Sequence, residues 1–118
     1  MSIDNALAGI AVKDLQAGIA WYQQLIGRPA DTRPMPEVAE WTFPAGGWIQ
    51  LFEDGARAGH SSLTLAVSGL NDHVRALRSK GVAVDDPFGS KRVKVAMVKD
   101  PDGNRVVLAE AFTADMAQ

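Results

Sequence analysis

Two histidines and two glutamates are the side chains of this sequence best suited to acid and base chemistry: His60, His73, Glu53 and Glu110. A histidine beside a carboxylate can take up and return a proton near neutral pH. His73 lies on the polar face of a predicted helix, and the two glutamates end equivalent predicted strands, where solvent exposure explains them. His60 precedes a predicted strand in a linker. We therefore assign no catalytic residue, and we keep an acid and base pair such as His60 and Glu110 as the alternative.

Composition excludes several classes of chemistry. The chain has 118 residues, 47% of them hydrophobic and 22% charged, which fits one globular domain with its own core. It contains no cysteine, so disulfides, thiolate metal sites and thiol nucleophiles are absent. A net charge of −2 gives no electrostatic reason to expect a nucleic-acid partner. The sequence has neither a secretion leader nor an apolar run long enough to span a membrane, so we expect a cytoplasmic protein without a membrane partner.

The elements that position these residues repeat along the chain. Residues 7–22 align with residues 62–77 at a constant offset of 55. Both copies change from alternating apolar residues to apolar residues at helical spacing at the same place, which predicts a strand followed by a helix. Helix starts are predicted at Asp14 and at Ser68 or Asn71, and helix ends at Gly27 and Gly81.

The strand that closes each unit repeats as well. Residues 46–53 align with residues 103–110 at an offset of 57. Each unit has room for two further strands, which we place around Ala30 and at 38–43 in the first copy, and around Ala83 and at 93–98 in the second. Proline lacks the N–H that a strand ladder uses, so the prolines fall in the connections, at Pro34, Pro36 and Pro87.

Two βαβββ units, the AVKDL segment before a helix containing Trp21 and Tyr22, and the closing DPDGNRVVLAE segment together resemble the glyoxalase/bleomycin resistance/extradiol dioxygenase superfamily, also called the vicinal oxygen chelate superfamily. The resemblance implies an α+β fold of two βαβββ modules that form curled mixed sheets with helices on the convex side. It also implies a homodimer and a small-molecule ligand in the concave cleft. The whole chain, residues 1–118, then forms a single domain, with modules at about 6–53 and 61–112, a linker at 54–60 and a short tail.

Strand alternation predicts which side chains form the floor of the cleft: Leu7, Gln50, Ser62 and Val107. By the resemblance, metal-dependent members carry histidine or glutamate ligands at these four positions. A divalent ion needs three or more nitrogen or oxygen donors. Leu7 and Val107 have no donor atom, and Gln50 and Ser62 are neutral. We therefore expect no metal and no cofactor.

The residues that remain in the cleft are apolar and aromatic with a few orienting polar groups, as in many small-molecule sites. Trp41 and Trp48 could equally fill the core or a dimer seam. The predicted ligand-binding set is Leu7, Trp41, Trp48, Gln50, Phe52, Ser62, Thr64 and Val107.

Two functions follow from these observations. The first is metal-independent binding of a small, largely apolar or aromatic organic molecule, resembling the bleomycin-resistance proteins. The alternative is a glyoxalase-type lyase, isomerase or dioxygenase that uses a displaced metal site or metal-free acid and base chemistry by His60 and Glu110. The ligand's identity, and whether modules pair within one chain or between two, stay open at this level.

Overall fold

The computed structural model describes residues 2–111, which form two modules of the same topology. The predicted C-terminal tail lies outside the described residues. In the first module the elements are β1 (Leu7–Val12), α1 (Leu15–Ile26), β2 (Thr32–Met35), β3 (Val38–Thr42) and β4 (Trp48–Glu53). In the second they are β5 (Ser62–Ala66), α2 (Leu70–Ser79), β6 (Phe88–Gly89), β7 (Val93–Lys99) and β8 (Arg105–Ala111).

Each module forms one four-stranded mixed sheet. The strand orders are β1-β4-β3-β2 and β5-β8-β7-β6. In both sheets the first strand runs parallel to the last strand of its module, and the remaining pairs are antiparallel. The predicted α+β fold of two βαβββ modules is therefore confirmed. Within residues 2–111, neither helix is long and apolar enough to cross a membrane.

Helix α1 begins and ends where the sequence predicts. The Asp14 side chain accepts a hydrogen bond from the backbone N–H of Ala17 at 3.1 Å, which satisfies one of the free donors of the first turn. Gly27 ends the helix in the left-handed conformation, with φ of 92°, and its N–H donates to the carbonyl of Gln23. Tyr22 and other apolar residues on the same face are buried against the sheet.

Helix α2 begins differently from the prediction. Neither Ser68 nor Asn71 caps it, because its N-cap is Gly69 and no side chain of that residue is available. Instead the Glu110 carboxylate accepts the N–H groups of Gly69 and Leu70, at 2.8 and 3.0 Å. A carboxylate from the neighbouring strand thus satisfies the donors that a missing cap leaves free.

Glu53 occupies the same place in the first module. Its Oε1 accepts the N–H of Leu15, the first residue of α1, at 3.0 Å. The repeat of a glutamate at the end of β4 and β8 therefore has a structural cause, because each one lies at the start of its module's helix. The expectation that these glutamates only mark solvent-exposed strand ends was wrong on this point.

The second strand of each module lies later in the chain than predicted. Strand β2 begins at Thr32, not around Ala30, and it contains Pro34. It is the edge strand of its sheet, so the missing N–H of that proline can face away from β3. In the second module, Ala83 adjoins a single isolated bridge between Val84 and Val98, and β6 follows it.

The hydrophobic core lies between the helices and the sheets and is continuous through both modules. Trp41 and Tyr22 are its largest fully buried side chains, with ring centroids 6.4 Å apart. The second module contributes Leu70, Leu77, Val106 and other aliphatic side chains to the same cluster. Burying these residues supplies the main free energy of folding.

The DPDGN turn joins the two modules of one chain. Asn104 is fully buried, and its Nδ2 donates to the carbonyl of Ala11 and to Asp100 Oδ2, both at 2.8 Å. Its Oδ1 accepts the N–H of Ser61 at 2.8 Å. The Tyr22 hydroxyl donates to the same Asp100 oxygen at 2.8 Å, and burial together with that carboxylate raises the pKa of Tyr22. The turn is therefore a polar joint between α1, β1 and the second module.

Candidate functional site

The edges of the two sheets meet at β1 and β5. Where β1 ends and β5 begins they are close, and the Ala11 N–H donates to Ser61 Oγ at 3.1 Å. Across residues 2–111 no ladder pairs β1 with β5, so the two edges are free to separate toward the start of β1. A cavity of about 870 Å³ lies there, between the first residues of β1 and the last residues of β5. We call it the seam cavity.

The lining of the seam cavity is predominantly apolar. The first module contributes side chains from β1, β4 and the end of α1, and the second contributes both faces of β5. The apolar lining includes Leu7, Ile26, Trp48, Leu63, Leu65 and Val67. A cavity of this size and character matches those that hold drug-sized organic molecules.

A few polar side chains lie at the margin of the seam cavity. They are Thr64, in the middle of β5, Ser68, beyond the end of β5, and His73, on α2. His73 is exposed, as its place on a polar helix face predicted, but it also borders the cavity. Sequence reasoning missed this contact because it placed the polar face of α2 in solvent and did not predict a cavity beside it.

Three residues of the predicted ligand-binding set line the seam cavity: Leu7, Trp48 and Thr64. Leu7 is the direct parallel-strand neighbour of Trp48, and the two side chains are 46% and 39% exposed. Thr64 lies across the gap, on β5. The structure therefore brings together one residue pair from the first module and one residue from the second.

Four other predicted residues lie on the strand face that points away from the helices but outside this lining: Gln50, Phe52, Ser62 and Val107. The register places Gln50 beside Gly9, and the Phe52 ring is within 3.3 Å of where a Cβ on that glycine would be. Val107 pairs with Thr64 on one side and Met97 on the other. These residues form the open face next to the cavity.

Trp41 corrects the prediction. It is 0% exposed, and its indole N–H donates to the carbonyl of Arg28 at 3.0 Å. Its antiparallel partner is Ile49, which is also buried, so Trp41 lies on the helix-facing side of the sheet, and it does not line the seam cavity. Trp41 is a core residue.

His60 and Glu110 do not form an acid and base pair. His60 is exposed in the linker just before β5, whereas Glu110 lies near the far end of β8. Because Ser62 pairs with Arg105, five residues or about 16 Å of strand separate the two ends. Hydrogen bonds from the N–H groups at the start of α2 hold the pKa of Glu110 below its ordinary value, which makes it a weaker base.

Glu40 is a carboxylate that sequence reasoning missed. It lies on β3 between Ala39 and Trp41, which both face α1, so alternation places it on the open face. Its Oε2 accepts from Gln50 Nε2 at 2.9 Å, and its Oε1 accepts from Thr32 Oγ1 at 3.0 Å. The alternation signal was present in the sequence, but only the pairing with Gln50 links this carboxylate to the predicted cleft.

The four positions that correspond to metal ligands in metal-dependent relatives do not fit a metal ion. Leu7 and Val107 provide no donor atom, and Gln50 and Ser62 offer only neutral oxygens. Within residues 2–111, no group of three or more His, Cys, Asp or Glu side chains is arranged to hold an ion. The donor set needed for a metal centre of this type is therefore incomplete at these positions.

The fold and the open cleft define a class of protein, and comparison with known families agrees. Residues 3–108 match the model of the glyoxalase/bleomycin resistance protein/dioxygenase superfamily. The chain belongs to this superfamily. No functionally curated protein is significantly similar to it in sequence.

Solved structures have the same fold. A glyoxalase/bleomycin resistance protein from Catenulispora acidiphila is 30% identical, with a TM-score of 0.82, over 91% of this chain and 97% of that one. TnmS3, an antibiotic-binding protein from a Streptomyces species, is 24% identical, with a TM-score of 0.81, over 94% and 98%. A bleomycin-binding protein complexed with bleomycin is 19% identical, with a TM-score of 0.75, over 92% and 98%.

Proposed function

We propose that the chain binds a small, largely apolar or aromatic organic molecule in the seam cavity, without a metal ion and without transforming it. The observation that carries this proposal is the cavity of about 870 Å³ with a predominantly apolar lining between β1 and β5. Small-molecule sites have this size and this make-up, with a small number of polar groups that orient the ligand.

The exposed side chains at the cavity explain how a ligand would be held. Trp48 and Leu7 are large apolar residues that remain 39% and 46% exposed. A flat ligand laid against them removes that surface from water, which favours binding by roughly 25 cal/mol for each Å² of apolar surface covered. The indole ring also offers a stacking surface to an aromatic ligand. Thr64 and Ser68 supply hydroxyl groups at the margin.

Relatives of the same fold support the binding of a small molecule. One is described as an antibiotic-binding protein, and another was solved in complex with bleomycin. In this chain only Gln50 and Ser62 of the four floor residues carry donor atoms, fewer than a metal ion needs, and the candidate catalytic residue Glu110 is occupied at the start of α2. We therefore assign the chain to the binding branch of its superfamily.

Equilibrium dialysis tests this proposal. Chelator-treated protein is dialysed against bleomycin and a panel of flat aromatic antibiotics, and both chambers are analysed by mass spectrometry. We expect at least one compound to accumulate on the protein side and to be recovered with its mass unchanged. Accumulation only after a divalent ion is restored, or conversion of the compound to a product, would contradict the proposal.

We also propose that the chain acts as a homodimer. Met35 on β2 and Phe88 on β6 are 53% and 58% exposed, and both lie on edge strands of their sheets. Exposed apolar side chains at sheet edges are typical of surfaces that pack against another chain. Light scattering after size-exclusion chromatography should give twice the chain mass of 12.6 kDa, and a monomer mass at micromolar concentration would contradict it.

A further inference from the structure

Glu40 is a nearly buried carboxylate on the open face of the first sheet. It is 9% exposed, and it receives hydrogen bonds from two neutral donors, Gln50 Nε2 and Thr32 Oγ1. An ionised carboxylate can accept about four hydrogen bonds, so these two contacts leave acceptor capacity on both oxygens. Removing a carboxylate from water is costly unless a cation or further donors compensate its charge.

No cationic side chain within residues 2–111 lies at ion-pair distance from Glu40. The two arginines of the same module are engaged elsewhere. Arg28 pairs with Asp31, and Arg33 donates to the carbonyls of Val38 and Pro36. The Glu40 carboxylate is thus hydrogen-bonded to two neutral groups and has no counterion among residues 2–111.

The position of Glu40 relates this charge to the proposed ligand. On β3 and β4, Glu40 pairs with Gln50, and the next pair on the same face is Thr42 with Trp48. Two residues along a strand span about 7 Å, so the Glu40–Gln50 pair lies about 7 Å along the sheet from the Thr42–Trp48 pair. Trp48 lines the seam cavity, and Glu40 lies next to that lining on the same face of the sheet. A molecule that stacks on Trp48 can reach Glu40 with a polar group attached to its ring.

We propose that the ligand carries a cationic nitrogen, such as a protonated amine, which donates to Glu40 while its apolar or aromatic part occupies the space beside Trp48. The inference rests on the proposed function and specifies its ligand class. A charge-assisted hydrogen bond to a partly dehydrated carboxylate is stronger than a neutral one, so it favours the cation over an uncharged molecule of the same shape.

The test compares two probes that share one ring system: 2-naphthylmethylamine, which is protonated at neutral pH, and the uncharged 2-naphthylmethanol. Isothermal titration of the full chain should give a dissociation constant for the amine at least about tenfold below that for the alcohol. In Glu40→Gln the ratio should fall to within about twofold of one, because only a neutral acceptor remains. Glu37→Gln removes the same charge from an exposed position in the same hairpin, and it should keep the wild-type ratio.

A second variant keeps the inference open to refutation if Glu40→Gln does not fold. Gln50→Lys places an ammonium group beside the Glu40 carboxylate and supplies the counterion from within the chain. The preference for the amine should again be lost. If either variant retains the preference, or if the wild-type chain binds the two probes equally, Glu40 is not a cation site and the proposed function stands alone. If the wild-type chain binds neither probe, the inference is contradicted too, and the dialysis experiment decides the proposed function separately.

Discussion

Asn104 of the second module donates a hydrogen bond to the carbonyl of Ala11 in the first, at 2.8 Å and across 93 residues of sequence. The same side chain also accepts from Ser61 and donates to Asp100. These contacts explain why the last residue of the DPDGN turn is an asparagine. The turn reverses the chain before β8, and its last residue fixes the second module against the end of β1.

Asn104→Ala should destabilise the chain strongly. The substitution leaves the Ala11 carbonyl and the Ser61 N–H without partners in a buried place, so we expect a loss of about 2 to 4 kcal/mol in the free energy of unfolding. Urea denaturation measures the loss. Asn71→Ala, on the exposed face of α2, is the matched control and should change stability by no more than about 0.5 kcal/mol. Equal effects of the two variants would refute the role of the turn as a joint.

The capping role of Glu110 predicts a pH dependence of stability. Hydrogen bonds from Gly69 and Leu70 lower its pKa in the folded chain below the ordinary value of 4.5. The stabilisation is therefore fully present above about pH 4.5, and it is lost as the pH falls through the lower, folded-state pKa. In thermal unfolding, wild type should exceed Glu110→Gln in Tm at pH 7, and the gap should narrow below pH 4.5.

Glu37→Gln is the control for that experiment because Glu37 is also exposed but its side chain caps no helix in the described part of the chain. Its Tm should follow the wild-type curve across the same pH range. If Glu110→Gln has a constant Tm difference from wild type down to pH 3, the carboxylate charge is not what stabilises the start of α2.

Trp48→Ala should weaken ligand binding and leave the fold intact. The side chain is 39% exposed at the seam cavity, so its removal leaves no closed void, and we expect a stability change below about 1 kcal/mol. The affinity for any retained aromatic ligand should fall about tenfold or more, as for a central aromatic contact. Fluorescence polarisation of a labelled ligand measures the affinity.

Trp41→Ala makes the same truncation at a buried position, and there we expect a large loss of stability. Trp41 is fully buried against Tyr22, so its truncation should cost about 3 to 5 kcal/mol of stability. A Trp48→Ala variant with unchanged affinity, or one as unstable as Trp41→Ala, would remove the assignment of Trp48 to the binding surface.

Much of the fold was predictable because the same order of one strand, one helix and three strands occurs twice along the chain. The change from alternating to helical spacing marked β1 with α1 and β5 with α2, and Asp14 and Gly27 marked the ends of α1. The α2 start was mispredicted because its cap comes from Glu110, about 40 residues away, and local sequence carries no signal for a partner brought in by tertiary folding. Strand β2 was misplaced because an edge strand tolerates Pro34, which a central strand would not.

The candidate site was predictable only in part. Alternation along each strand predicted Leu7 and Trp48 on the same side of the sheet, and their pairing across β1 and β4 became known only from the structure. Trp41 was misassigned because its side depends on its pairing with Ile49, and that register is not visible in β3 alone. The seam cavity is lined by residues of both modules, and no residue pattern within one module encodes how the two modules meet.

Removing metal ions should not affect binding. Dialysis against a chelator should leave the affinity for a retained compound within about twofold of the untreated value, because Leu7 and Val107 cannot contribute ligands to an ion. Isothermal titration before and after treatment measures the change. A loss of binding that zinc or another divalent ion restores would show that donors elsewhere in the chain form a site.

The most direct test of the central claim is a crystal structure of the chelator-treated chain with a compound retained in the dialysis experiment. We predict electron density for the unaltered compound between β1 and β5, in contact with Trp48. We also predict that no anomalous scatterer lies among Leu7, Gln50, Ser62 and Val107. Density for an ion at those four positions, or a compound bound away from the seam cavity, would contradict the account.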